Sequence, residues 1–315
     1  MMSRQPDTTG DVPYHVPVLW KESIEALAIK PDGIYVDCTF GGGGHSRGIL
    51  AQLGVGGRLI AFDQDDDARR NLPDDKRLLF IPQNFRHVQR FLRLHQVTAV
   101  DGLLADLGVS SHQFDEAERG FSIRFDAPMD MRMDQRQEKT AFQVLQKYSE
   151  QQLHKLFEQY GEVTNSKTLA RTIVEVREQV SLQTINNFKN AVRSIVKGNP
   201  NRYFAQVFQA LRIEVNEELT VLQELLQQIP TLLRPGGRAA IITFHSLEDR
   251  LVKNFFRNGS FDEADENPFT TTVRKNELKL ITKKPIAPGE EELKRNPRSR
   301  SARLRVAEKK QGDEK

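Results

Sequence analysis

Ile34-Tyr35-Val36-Asp37-Cys38-Thr39, running directly into Phe40-Gly41-Gly42-Gly43-Gly44-His45-Ser46, decides the fold. The first six residues are apolar and β-rich and follow the turn signal Pro31-Asp32-Gly33, so a strand is expected over 34–39. A helix is expected over 46–53, closed by Gly54, Gly56 and Gly57. Glycines lodged between a strand and a helix let the backbone approach a ligand closely, and they aim the helix's first N–H groups at it. A flexible linker has no reason to sit there.

Further along the chain the same alternation continues. Strands are expected over 58–62, 78–82 and 100–105, with helices beginning at 66 and spanning 88–94. Strands separated by helices of this length form a parallel sheet covered on both faces. From Asp115 to Tyr203 the pattern changes to loops and helices alone, with helical apolar spacing over 148–160, 167–178 and 184–196. Thr140 and Gln143 have the spacing of a capping box. Segment 120–134 reads as a loop in which Met129, Met131 and Met133 alternate with Asp130, Arg132 and Asp134. One long amphipathic helix is then expected, carrying Phe208, Leu211, Val215, Leu219, Leu222, Leu226 and Ile229. A fifth strand is expected over 238–244 and a helix capped by Ser246, with Asp249 at its third position. Strands over 278–282 and 303–307 complete the sheet, and residues 1–14 and 307–315 read as frayed ends. The expected architecture is α/β. Residues 1–114 and 207–315 form a doubly wound sheet domain, and 115–206 form an all-helical insertion.

Composition is globular, with 38% hydrophobic and 28% charged residues over 315 positions. No apolar run approaches the roughly 18 residues a membrane span requires. The first 14 residues are polar, without the apolar core of a signal segment, so a soluble cytoplasmic protein is expected. The single cysteine, Cys38, excludes an internal disulfide and any cysteine-based zinc cluster, and no metal site is expected. A net charge of +3 is compatible with nucleic acid without being diagnostic. The basic run 294–305 (Lys294, Arg295, Arg298, Arg300, Arg303, Arg305) says more than the total.

In an open parallel sheet, ligands bind beyond the carboxyl ends of the strands, where the winding reverses. The expected strand ends collect the glycine loop, Asp63, Asn84-Phe85, Asp106-Leu107-Gly108 and Phe244-His245-Ser246. Asp63 lies about 20 residues beyond the loop, where an acidic side chain accepts hydrogen bonds from ribose hydroxyls. Phe85 offers an apolar face for an adenine ring. Asp106 faces the centre of the cleft, and His245 stands at the next tip. A dinucleotide fingerprint would place its glycines at 41, 43 and 46, and Ser46 occupies the third position. A nicotinamide dinucleotide and S-adenosylmethionine both remain open on these residues alone.

The ordered set of motifs resembles one family, the bacterial 16S rRNA cytosine-N4 methyltransferases that modify a decoding-centre cytosine of the small ribosomal subunit. The matching stretches are 15–19, 39–46, Asp106-Leu107-Gly108-Val109-Ser110-Ser111, Arg119-Gly120-Phe121-Ser122, 129–134, 208–219, 243–250 and 296–308. The resemblance implies a class I Rossmann-like methyltransferase sheet and S-adenosylmethionine held by Gly43, Gly44, His45, Asp63, Phe85, Asp106 and Gln113. It also implies 16S rRNA in the small subunit as the partner and the helical insertion as a substrate-binding element. A homodimer is compatible with the sequence. Gly42 stands where a bulkier, often basic residue is expected, and His112 where proline is expected.

The fourth strand lacks the Asp/Asn-Pro-Pro-aromatic tetrapeptide found in many amino-methyltransferases. Asp106 and His245 are therefore the candidates for accepting the amine's proton. Arg132 is a candidate contact to phosphate or base. The run 294–305 and the insertion helices are candidate rRNA surfaces. A DNA amino-methyltransferase, a non-enzymatic RNA-binding factor and a nicotinamide oxidoreductase are the competing classes.

Overall fold

The computed structural model describes residues 17–261 and 276–312. His15 and Val16, within one of the matching stretches, and the N-terminal end read as frayed lie outside the described residues.

Seven strands form one sheet: β1 (Ile34–Asp37), β2 (Arg58–Phe62), β3 (Leu78–Ile81), β4 (Val100–Asp106), β5 (Leu233–Thr243), β6 (Leu278–Leu280) and β7 (Arg303–Lys309). Their order is β3-β2-β1-β4-β5-β7-β6. The first five are parallel, and β7 runs antiparallel to both β5 and β6. This is the class I methyltransferase sheet. The winding reverses between β1 and β4, so their carboxyl ends border the crevice.

The helices are α1 (Trp20–Leu27), α2 (Gly44–Gln52), α3 (Val88–Leu94), α4 (Ser111–Asp115), α5 (Ala141–Lys147), α6 (Glu150–Gln159), α7 (Ser166–Val176), α8 (Ile185–Ala191), α9 (Pro200–Asn216), α10 (Glu218–Leu232), α11 (Ser246–Asn258) and α12 (Glu290–Arg295). Alternation along the strands divides the core. Tyr35, Leu59, Leu104 and Ile242 pack under α1 and α2 with Ile24, Leu27 and Ile49. Val36, Ile60, Leu103 and Ile241 pack under α3, α10 and α11 with Leu92, Leu226 and Phe256. Buried on both faces, these strands carry the near-continuous apolar runs that parallel sheets require.

A separate apolar core belongs to the helices that follow β4. It runs from Phe121 to Val215 and includes Met129, Met131, Met133, Leu153, Phe188 and Phe208. The alternation in the methionine loop is therefore a buried stripe, one side chain in two, and not a surface. This core reaches past residue 206 through Val207, Phe208, Leu211 and Val215.

Several local expectations are corrected. The single long helix is two: α9 ends at Asn216, and Glu217 takes a left-handed conformation (φ 52°) before α10 begins. The apolar periodicity continues through the break because α9 packs on the helical core and α10 on the sheet core, so both faces stay buried. Helix α11 is capped by His245, whose imidazole accepts the Glu248 N–H, and Ser246 is its first residue. Thr140 caps α5 by accepting the Gln143 N–H, but the reciprocal half of the box is not formed. Residues Asp66–Asn71 form a 3-10 turn capped by Asp65. The last strand extends to Lys309, beyond the point where fraying was expected.

Candidate active site

A cavity of about 940 Å³ opens over the carboxyl ends of β1, β2, β4 and β5. That volume lies in the upper range of pockets for small molecules and cofactors.

The first wall is the glycine loop. Gly41 (φ 49°) and Gly43 (φ 74°) occupy left-handed backbone, which a Cβ would strain. At Gly43 a Cβ would also meet the Phe40 ring at 2.8 Å, and at Gly44 it would strike Pro17 at 2.2 Å. The loop is fixed from below: Ser46 donates to Asp37 at 2.6 Å, and Asp37 accepts the Thr39 N–H at 3.0 Å. Thr39 Oγ1 in turn accepts the Asp106 N–H at 2.7 Å, tying the β1 and β4 tips together.

Asp63, just beyond β2, accepts the Gly41 N–H at 2.7 Å and the Asp65 N–H at 2.9 Å. Burial outweighs these bonds, and the carboxyl is pushed up to about 7. At Asp106 burial, together with the charges of Asp37, Glu248 and Glu292, raises the carboxyl well above its ordinary range. Asp106 Oδ1 is buried without a hydrogen-bond partner. His45 lies 3.7 Å from Asp106 Oδ2. Burial lowers His45 to about 4, so the two do not form an ion pair at neutral pH.

Gln113 sits in the first turn of α4, where Ser110 and Gln113 cap each other reciprocally. Its amide donates to Asp65 at 2.7 Å. Arg119 grips the same carboxylate at 2.8 Å and Asp67 at 3.1 Å, binding the loop after α4 to the β2 edge of the cavity.

Gly44, His45, Asp63, Phe85, Asp106 and Gln113 all line this one cavity. Gly43 stands immediately behind it as the left-handed residue preceding α2. His245 is also set back: it packs against Glu248, which lines the cavity in its place. Arg132 does not reach the cavity. Its guanidinium is spent on Asp130 and on the carbonyls of Gln135 and Gln137, which makes it a brace of its own loop. Gly42 borders the cavity and accepts from Arg47 through its carbonyl at 2.7 Å. His112 lines the rim, 3.4 Å from Asp67.

Sequence reasoning missed the opposite wall. Arg212 and Asn216 come from the end of α9, Glu218 from the start of α10, Glu248 from the first turn of α11, and Asn296 and Arg298 from the segment after α12. Arg212 holds Glu218 through paired bonds of 2.8 and 2.9 Å. Arg298 reaches Asp115 at 2.6 Å and lies over the Phe114 ring. Leu19 donates to Glu292 at 2.9 Å, so segments near both ends of the described chain close the roof. Arg212 and Glu218 flank the left-handed Glu217, a break that the unbroken apolar periodicity conceals.

The residues fit S-adenosylmethionine. Carboxyl acceptors for ribose hydroxyls and an ammonium line the cavity, an aromatic ring is present at Phe85, and among the described residues the buried oxygen of Asp106 has no partner and can accept from a bound amino group. The fold and this cavity define an S-adenosylmethionine-dependent methyltransferase of class I. Residues 13–310 match the MraW methylase family, and the chain belongs to it. It is 53% identical over 300 residues to ribosomal RNA small subunit methyltransferase H of Cytophaga hutchinsonii, covering 94% of this chain and 99% of that one. The protein of the same description from Flavobacterium johnsoniae is 51% identical over 302 residues (96% and 99%). That from Bacteroides thetaiotaomicron is 50% identical over 301 (95% and 99%).

Proposed function

We propose that the protein methylates 16S rRNA of the small ribosomal subunit, at the exocyclic N4 of a decoding-centre cytidine. The observation that carries the rRNA substrate is half-identity, over nearly the full length of both chains, to small-subunit rRNA methyltransferases. The amine acceptor is supported by the carboxylate-bearing wall opposite the glycine loop. An amino group offers hydrogen-bond donors, and acidic side chains accept from it.

S-adenosylmethionine supplies an electrophilic methyl group on a sulfonium. Gly43 and Gly44 would allow its close approach, Asp63 would bind its ribose, Phe85 would take its adenine, and Asp106 would accept from its amino group, with Gln113 and His45 completing the binding set. The cytosine amine is a weak nucleophile because its lone pair is delocalised into the ring, so alignment provides most of the gain. The base must leave its stack to enter a cavity at the strand tips, and unpaired RNA bases are the ones proteins read in this way. Residues 115–206, with the remainder of α9, form the substrate-recognition unit, and the basic run 294–305 is part of the rRNA surface. Phosphate contacts there make affinity fall with salt. The protein works in the cytoplasm, where the subunit is. Among the described residues no helix is long and apolar enough to cross a membrane.

The test is incubation with labelled S-adenosylmethionine and unmodified small subunits, followed by nucleoside analysis of the rRNA. Label in N4-methylcytidine at one position is expected. Label in another nucleoside, or none despite tight cofactor binding, overturns the substrate assignment.

A further inference from the structure

The wall opposite the glycine loop contains a compact cluster of Arg212, Glu218, His245 and Glu248. Ligand atoms of Glu218, His245 and Glu248 all lie within 4.8 Å of one another. The side chains are 9%, 8% and 2% exposed respectively, so the groups act on one another with little screening. We propose that Glu248 is the group that accepts the proton of the target amine, with His245 as its positioning residue. This deepens the rRNA cytidine reading and rests on it.

The geometry assigns the roles. His245 Nδ1 accepts the Glu248 N–H at 3.4 Å, which leaves the ring's proton on Nε2. Its Nε2 lies 3.3 Å from Glu248 Oε1 and, among the described residues, makes no hydrogen bond. With its Nδ1 occupied by the Glu248 N–H and the ring set back from the cavity, His245 is not placed to take a substrate proton. The second oxygen of Glu248 is fixed by the Phe244 N–H at 2.9 Å.

The neighbouring carboxyls are less suited. Burial and three acidic neighbours keep Asp106 protonated more readily than an ordinary aspartate. Both oxygens of Glu218 are engaged by Arg212, and burial raises that carboxyl. Glu248 differs. Burial alone would raise it, but His245, the Phe244 N–H and Arg212 outweigh burial and bring it below its usual range. Of the two cluster carboxyls it is the more readily ionised. Weak basicity is no obstacle, because an amine that has just gained a methyl group is a strong acid. As the N4 lone pair forms the new N–C bond, the carbon–sulfur pair leaves with sulfur. One N4–H proton then passes to a Glu248 oxygen while its bonding pair returns to nitrogen. The resulting neutral acid loses its proton to solvent.

The test uses the full chain with small subunits, plus a short RNA carrying cytidine or uridine at the target. Glu248→Ala is expected to bind S-adenosylhomocysteine within about twofold of wild type and to lower turnover by ~10²–10⁴-fold. It should also lose wild type's preference for the cytidine RNA. Formate should restore turnover at least ~10-fold by supplying a carboxylate. If Glu248→Ala does not fold, Glu248→Gln keeps the shape and the acceptor oxygen; it should retain cytidine binding yet show the same loss of turnover. Near-wild-type turnover in a folded variant overturns the assignment. So does a loss without formate rescue in which the cytidine preference is intact. If wild type itself does not label cytidine N4, the substrate reading has failed first, and this assignment falls with it.

Discussion

The two walls of the cavity are built on opposite plans. On the glycine-loop side most groups hang from a strand tip or from the loop directly after one: Gly43 and Gly44 after β1, Asp63 after β2, Asp106 at the end of β4. On the other side the groups come from helix ends far apart in sequence, Arg212 and Glu218 around the Glu217 break and Glu248 in α11. The first wall is made by local chain geometry and resembles any adenosine-binding sheet. The second depends on where α9 ends and α10 and α11 begin, and in the proposed reaction it faces the acceptor.

The comparison can be broken most sharply at Asp106. Asp106→Ala should leave the fold intact and abolish turnover, a loss of at least ~100-fold traced to cofactor affinity by calorimetry, since a hydrogen bond to a charged group is involved. Unchanged turnover would remove Asp106 from the cofactor wall. Next is Arg119, which ties the loop after α4 to Asp65 and Asp67 on the β2 side of the cavity. Arg119→Ala removes the ion-pair partner of the buried Asp65 and should cost about 3–5 kcal/mol in denaturant unfolding. A smaller effect is expected at Gly43. Gly43→Ala should cost about 1–2 kcal/mol for its left-handed backbone, with further loss from the contact with Phe40. It should weaken the cofactor while sparing RNA binding, which a filter assay would show.

The smallest effect is a pH dependence. Asp63 has a folded-state value of about 7, above its ordinary 3.8, so the folded protein binds the extra proton. Its contribution to stability is present below about pH 4 and is lost as the pH rises through about 7. The cofactor-free melting temperature should fall across that window by a few degrees, and Asp63→Asn should flatten this part of the profile. An unchanged slope in that variant would place the titration elsewhere.

The same division explains what was legible in the sequence. β1 and its glycines, Asp63 and Asp106 announce themselves because strand, turn and helix signals are local. The buried methionine stripe was visible as an alternation, but its burial was not, since it depends on helices more than 50 residues away, as in the Met133 N–H bond to Asn216. The single helix read over 208–229 failed because apolar periodicity carries across Glu217 although the backbone does not. Ser246 was read as a cap on residue type, whereas His245 does that work with a ring nitrogen. Glu218 and Glu248 look like ordinary surface acids until docking buries them.

β7 lies between β5 and β6, inside the sheet, although it is the last strand in sequence. A chain cut before Arg303 therefore has an unpaired edge along β5 and leaves β6 without its neighbour. The sheet closes through pairings of high sequence separation, which form slowly. The segment up to Lys309 must therefore be made before the sheet can complete itself, and until then β5 keeps an open edge.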